Sequence, residues 1–317
     1  LISNTIYAQC PTLLPTGHDT CKFGAGSVEL RASLSSTGLY SWYDSSVGGS
    51  FLGSGEFFTT PSVASTTSFF VASSATNKGI EFDGANDYIA IDNFTYTGTG
   101  HTAVTVEAWI KTTDGTDQMI CSFDRSEFWR LSINGDGAGT GQVSWCIRTN
   151  AGQLDMGSTS RVDDGEWHHV AAVFDNGVSS IYIDGLLDAQ QTRGTTFGRA
   201  VTRFGFVSAG SEATSFNNTR TPFWPFNGSL DDIRIWNVAK SELDIQTSMN
   251  TCLDGTEPGL DLLYDFEGTT STVNDLVSNN DGTMFNMDVA TDRVIVDRNY
   301  SCLSCELSRS IEIVSQQ

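Results

Sequence analysis

The run Val104-Thr105-Val106-Glu107-Ala108-Trp109-Ile110-Lys111 places Val104, Val106, Ala108 and Ile110 on one face at a period of two. That period belongs to a β-strand with one buried face. Alternating or apolar runs of similar length recur along the chain, separated by Gly, Asn, Asp and Ser. Only Ser241 to Met249 reads as a helix, with Ser241 as its N-cap. A chain with many strands and almost no helix buries its apolar residues by stacking sheets, so the expected fold class is all-β. The composition agrees: 39% of residues are apolar and 31 are glycine. A length of 317 residues suits one to three domains.

The strands fall into two groups. Residues 10–75 form the first, with Val28, Leu30 and Ala32 alternating in one strand and Trp42 as the large apolar residue of Leu39–Tyr43. Gly48-Gly49 marks a tight turn, and Thr66 to Ala72 is the last strand. This spacing predicts a small β-sandwich. Residues 76–79 are a polar linker. The second group covers 80–288 and includes a meander of Met119–Phe123, Phe128–Ile133 and Val143–Thr149. So many strands fit a two-sheet jelly roll. Residues 1–9 read either as the remnant of a secretory signal, with Ala8 at the cleavage position, or as an ordinary strand or linker. Residues 289–317 are a tail in which Ile311–Val314 suggests one more strand, a candidate start of a further module.

Two sets of strings carry a resemblance. Gly38-Leu39-Tyr40-Ser41-Trp42-Tyr43-Asp44, Gly48-Gly49, Leu52-Gly53-Ser54-Gly55, Phe58-Thr59-Thr60-Pro61 and Thr66 to Val71 together resemble a bacterial immunoglobulin-like module of Bacteroidetes surface proteins. The ordered strings FDGANDYI, VEAWIK, DGEWHHVAAVFD, YIDG and FNGSLDDIRIWN resemble the laminin-G-like, concanavalin A-like superfamily over residues 80–285. The first resemblance implies a spacer or presenting domain, the second a jelly roll.

Net charge is -21, from 38 acidic and 17 basic residues. This argues against nucleic acid, whose phosphates need a basic footprint, and against an anionic membrane surface. No stretch is long and apolar enough to span a bilayer. Seven cysteines favour an oxidising compartment, hence a secreted or cell-surface protein, and the odd number leaves a free thiol. Cys10 is expected to pair with Cys21, and Cys252 with Cys302 or Cys305. Cys121 and Cys146 sit on the first and third strands of the meander, about 9–10 Å apart if the second strand lies between them, too far for a disulfide.

Asp83 and Asp87 lie by the first strand of the second group, and Asp231 and Asp232 lie in a late one. In the superfamily that the strings resemble, first and last strands commonly lie side by side. The resemblance therefore implies a structural Ca²⁺ site that draws oxygen ligands from both ends of the domain. The competing reading is that these aspartates cap turns. Asn134-Gly135-Asp136-Gly137 lacks the twelve-residue calcium-loop pattern and reads as a hairpin turn.

Catalytic signatures are absent. There is no Gly-x-Ser-x-Gly and no phosphate-cradling glycine loop. Glu107 and Glu166 do not form the carboxylate pair of a glycosidase strand, and His168 and His169 point to opposite faces. The chain is therefore read as non-enzymatic. Trp224, bracketed by Pro222 and Pro225, and Trp129, near a turn beside Arg130, are candidate stacking platforms for sugar rings. Arg125, Arg130 and Arg148 are candidate donors to hydroxyls or acidic sugars. Trp42, Trp109, Trp145, Trp167 and Trp236 are assigned to core. The expected function is binding or adhesion through a glycan or cell-surface protein, alongside neighbouring modules of a longer protein. The alternatives are a structural block of a surface filament or stalk, and an accessory domain of a polysaccharide-degrading enzyme.

Overall fold

The computed structural model describes residues 16–17, 21–23, 25–33, 39–45, 50–65, 67–74, 77–296 and 309–316. The N-terminal segment 1–9, the Gly48-Gly49 turn, Cys10, Cys302 and Cys305 lie outside them. The chain divides into one unit of residues 1–77 with 299–317, and a second of 78–298.

In the first unit, Glu29–Ser33 pairs with Thr16–Gly17 and Phe57–Thr59 in a three-stranded sheet. A five-stranded sheet runs in the order Cys21–Phe23, Arg309–Gln316, Thr67–Ser74, Leu39–Tyr43, Phe51–Ser54. Leu30, Ala32, Trp42, Phe58, Phe69 and Val71 form one buried cluster, with the Trp42 and Phe58 rings stacked 5.2 Å apart. The strand expected around Ile311–Val314 is Arg309–Gln316, and it pairs with both Cys21–Phe23 and Thr67–Ser74. An alternating segment such as Ile311-Glu312-Ile313 is complementary to an open strand edge, and such an edge exists here in the first unit.

The second unit is two eight-stranded antiparallel sheets. One contains, in order, Leu186–Thr192, Val178–Ile183, Trp167–Asp175, Ala103–Lys111, Asn227–Trp236, Lys78–Asp83 and Arg293–Ile295, with Leu260–Tyr264 also on Asn227–Trp236. The other runs Gly152–Arg161, Gln142–Thr149, Trp129–Ile133, Gln118–Ser122, Phe197–Val207, Tyr88–His101, Gly282–Phe285, Thr272–Val273. Because Arg293–Ile295 pairs with Lys78–Asp83, this unit extends past the expected boundary at residue 288.

The alternation of each strand fixes what lies between the sheets. Val104, Val106, Ala108 and Ile110 face Trp129, Leu131, Ile133, Val143, Trp145 and Ile147 in a single buried cluster. Trp129 and Trp145 are fully buried, 5.8 Å apart. The Trp129–Ile133 strand does run between those carrying Cys121 and Cys146, and both thiols are free. Trp167 is only partly buried, unlike the other four indoles assigned to core.

Both outer faces are partly covered. The helix Glu242–Ser248 begins at Ser241, which closes a capping box with Asp244. Beneath it lies a buried polar cluster on the first sheet. Trp109 Nε1 donates to the Met249 carbonyl at 2.8 Å, and Arg234 donates to the carbonyls of Ser248 and Thr251 at 2.8 and 3.0 Å. On the second sheet, residues 208–226 fold back over the outer face. Ala209 and Ala213 pack there on Tyr88, Ala90 and Phe206. Ser208 Oγ fastens both ends of this excursion, donating to the Asp87 carbonyl at 2.8 Å and accepting from Phe226 N at 2.9 Å.

Candidate functional site

The residues of Trp129–Ile133 alternate between core and outer face, so Arg130 points away from the core that Trp129 and Leu131 enter. Arg130 is nevertheless only 3% exposed. Two segments close over it. The hairpin loop 134–141 brings Asp136 to its guanidinium, which it meets in a close ion pair. The fold-back segment brings Trp224, whose ring lies 4.6 Å from the Arg130 Cζ. The Trp224 carbonyl accepts from Met119 N at 2.8 Å, which pins the indole to the edge of the meander. Trp224 itself is half-buried.

Beside this stack lies a small pocket of about 120 Å³, lined by Ser122, Asp124, Arg125, Ser126, Arg130, Glu212, Thr221 and Pro222. Its walls are ion pairs. Arg125 Nε donates to Asp155 Oδ1 at 2.8 Å and lies 3.3 Å from Asp136. Arg203 Nε donates to Asp124 Oδ2 at 2.6 Å and approaches Glu127 at 3.7 Å. Burial opposes ionisation of Asp155, but its hydrogen bonds from Arg125 outweigh this and lower its pKa. Burial, reinforced by neighbouring Asp124, pushes the Glu127 carboxyl up to about 7. Guanidinium donors and carboxylate acceptors alternating around a small cavity can hydrogen-bond a polyhydroxylated ligand, while an indole edge offers an apolar surface.

The sequence-stated candidates divide. Trp224 and Arg130 are brought together. Trp129 is not a platform but core, since it shares the inward parity of Leu131 and Ile133 and is 0% exposed. Arg125 joins the site; Arg148 lies on the same strand face as Cys146 but does not line the pocket. Asp155, Arg203 and Glu212 were not singled out from the sequence. The paired prolines around Trp224 were the one signal that this segment leaves the strand pattern.

The four aspartates do not converge. Lys78–Asp83 and Asn227–Trp236 are adjacent, as expected, but antiparallel, with Asp83 opposite Asn227 and Ile80 opposite Leu230. Asp231 and Asp232 therefore sit at the far end of the overlap, roughly 15 Å along the strand from Asp83. Asp83 Oδ1 accepts from Ala85 N and Asn86 N at 2.8 and 3.2 Å, and Asp87 Oδ2 accepts from Asp83 N at 3.1 Å. These are turn-capping roles. Asp231 and Asp232 are buried, and Asp232 lies 3.2 Å from Arg234 Nη2. Among the described residues no group of three or more His, Cys, Asp or Glu is arranged to hold a metal. The expected disulfides involve side chains outside the described residues.

His168 and His169 serve the fold. His168 lies 2.8 Å from Asp184 and 3.1 Å from Asp164, while buried His169 faces Glu107 at 3.3 Å. Glu107 is enclosed under the helix and Glu166 is exposed.

Two antiparallel sheets with a shared core and loops laid over one outer face define a jelly-roll sandwich of the lectin type. A laminin-G-type model of the concanavalin A-like lectin/glucanases superfamily matches residues 83–246, and the chain belongs to that superfamily. A model of the Ig-like domain, CHU_C associated, matches residues 9–81. The chain is 26% identical over 180 residues to "Sushi, von Willebrand factor type A, EGF and pentraxin domain-containing protein 1" of Rattus norvegicus, and 25% to that of Mus musculus. These matches cover 56% of this chain and only 5% of each relative. Among solved structures, a candidate carbohydrate-binding protein from Bacteroides ovatus superposes with a TM-score of 0.53 at 17% identity, over 90% of this chain and 97% of that one.

Proposed function

We propose that the second unit is a non-catalytic binding module that recognises saccharides at the pocket beside Trp224 and Arg130. The observation that carries this reading is the half-buried Trp224 indole held over Arg130 at 4.6 Å, next to a cavity walled by Arg125, Asp124 and Glu212. Sugar rings present apolar C–H faces and polar edges, and this surface offers one partner for each. The solved neighbour described as a candidate carbohydrate-binding protein is compatible with the same reading. Within it the chain acts as the adhesion region of a secreted or cell-surface protein, in keeping with its seven cysteines. The test is a glycan array probed with the full chain and with Trp224→Ala. Binding of at least one glycan class, lost in the variant while its melting curve is kept, is the expected result. No binding to any glycan by the parent chain refutes the reading.

A structural role in a filament or stalk has one observation in its favour. Leu186 and Leu187 on the edge strand Leu186–Thr192, and Leu243 on the helix, are 61%, 46% and 70% exposed. A purely structural block would self-associate through such a surface at rising concentration and bind no glycan.

A further inference from the structure

The charges around the pocket constrain the ligand further. Each guanidinium in the wall already meets a carboxylate: Arg125 meets Asp155 and Asp136, Arg130 meets Asp136, and Arg203 behind them meets Asp124 and Glu127. Asp136 meets the charge of Arg130, whose Nε is buried without a hydrogen-bond partner and so keeps a free donor. At the rim stands Glu212, an exposed acidic residue that lines the cavity and whose backbone N donates to the Thr219 carbonyl at 3.1 Å. Arg220 does not line the cavity and donates to Tyr88 Oη at 2.7 Å and to Asn217 Oδ1 at 3.0 Å. Arg148 does not line the cavity.

A carboxylated or sulfated ligand here would give up water and gain no uncompensated cation in return. It would also meet Glu212 and Asp124. Desolvating an anion without a matched positive charge is strongly unfavourable, and like charges at short range add to the cost. A hydroxyl faces no such penalty. It donates to carboxylate oxygens and accepts from guanidinium N–H groups. A protonated amino sugar gains from the same carboxylates.

Resting on the saccharide-binding reading above, we infer that the pocket selects neutral and amino-substituted saccharides and rejects uronates and sulfated glycans. Glu212 is the residue that enforces the rejection from the rim. Of the two ligand groups that the sequence offers the arginines, hydroxyls or acidic sugars, this inference keeps the hydroxyls.

The experiment uses the full chain on an array of matched neutral, amino and uronate oligosaccharides of the same linkage, followed by titration of the best neutral ligand and its uronate counterpart. The expected order places amino and neutral forms together and the uronate about tenfold or more weaker. Glu212→Gln, an exposed substitution that leaves the backbone bond to Thr219 in place, should narrow the gap between the neutral ligand and its uronate counterpart. Uronate binding equal to or tighter than neutral binding overturns the selectivity and leaves the saccharide site standing. A gap unchanged in Glu212→Gln overturns the role of Glu212. Failure of all three ligand sets to bind removes the site and this inference together.

Discussion

Trp236 Nε1 donates to Glu107 Oε1 at 2.7 Å, joining two buried residues on neighbouring strands of the first sheet. The same carboxylate meets His169 at 3.3 Å and Lys240 at 3.6 Å, and Lys240 stacks 3.8 Å from the Trp236 ring. Burial alone would raise the Glu107 pKa. The His169 hydrogen bond and charge, with Arg234 and Lys240, outweigh it and hold it at about 2. Removing one member of such a cluster leaves the others buried and uncompensated. Glu107→Ala should therefore destabilise the second unit by about 3–5 kcal/mol, read by urea unfolding at pH 7. Because its folded pKa is depressed, Glu107 stabilises the fold above its ordinary carboxyl range and loses that effect as pH falls toward 2. In Glu107→Gln this part of the acid-induced loss of stability should disappear.

Glu267 behaves in the opposite sense. Burial first, then the charge of Asp265, push its carboxyl up to about 7, although Lys78 N donates to it at 2.8 Å. A raised acid favours the protonated fold. Its contribution is fully present below the ordinary Glu range and is lost as pH rises through about 7. The melting temperature of the second unit should therefore carry a downward component between pH 5 and pH 8. Glu267→Gln keeps an oxygen acceptor for Lys78 N and should remove that component, gaining stability at pH 8 and little at pH 5. A variant that melts below the parent at both pH values would contradict this.

Trp129, unlike half-buried Trp224, is a core residue. Trp129→Ala empties a fully buried site between Tyr96, Phe123 and Trp145 and should cost about 3–5 kcal/mol of unfolding free energy. Its defect is one of stability, visible in the absence of any ligand.

The thiols of Cys121 and Cys146 are both pushed up to about 12 by burial. Only a thiolate reacts readily with disulfide reagents. Native protein at pH 8 should leave both unlabelled over the time in which an exposed thiol reacts completely, and denaturant should release both. Mass mapping of labelled peptides reads the outcome.

Much of this architecture was legible because strand parity is local. Val104 to Ile110 and Trp145 to Ile147 announce their buried faces directly, and Ser241 with Asp244 announces the helix start. Trp224 and Arg130 were each visible as candidates, but their stacking was not, since it depends on a segment folding back over a sheet. The aspartates show a different limit. Adjacency of Lys78–Asp83 and Asn227–Trp236 is expected from the resemblance and is found, yet register decides which residues meet, and the alternation of either strand alone does not specify it. Glu107 shows a third. Its alternation with Val106 and Ala108 suggests solvent, and only the covering helix and its flanking chain make that face an interior.

The strand Arg309–Gln316 sits between Cys21–Phe23 and Thr67–Ser74, so one sheet of the first unit is completed by residues that follow the whole second unit in the chain. On the ribosome, residues 78–298 can close on themselves as soon as they emerge. The earlier-made unit must wait, two strand edges bare, for the last-made piece. Maturation therefore runs against the direction of translation, and a chain interrupted before residue 309 would yield a finished sandwich tethered to an unfinished one.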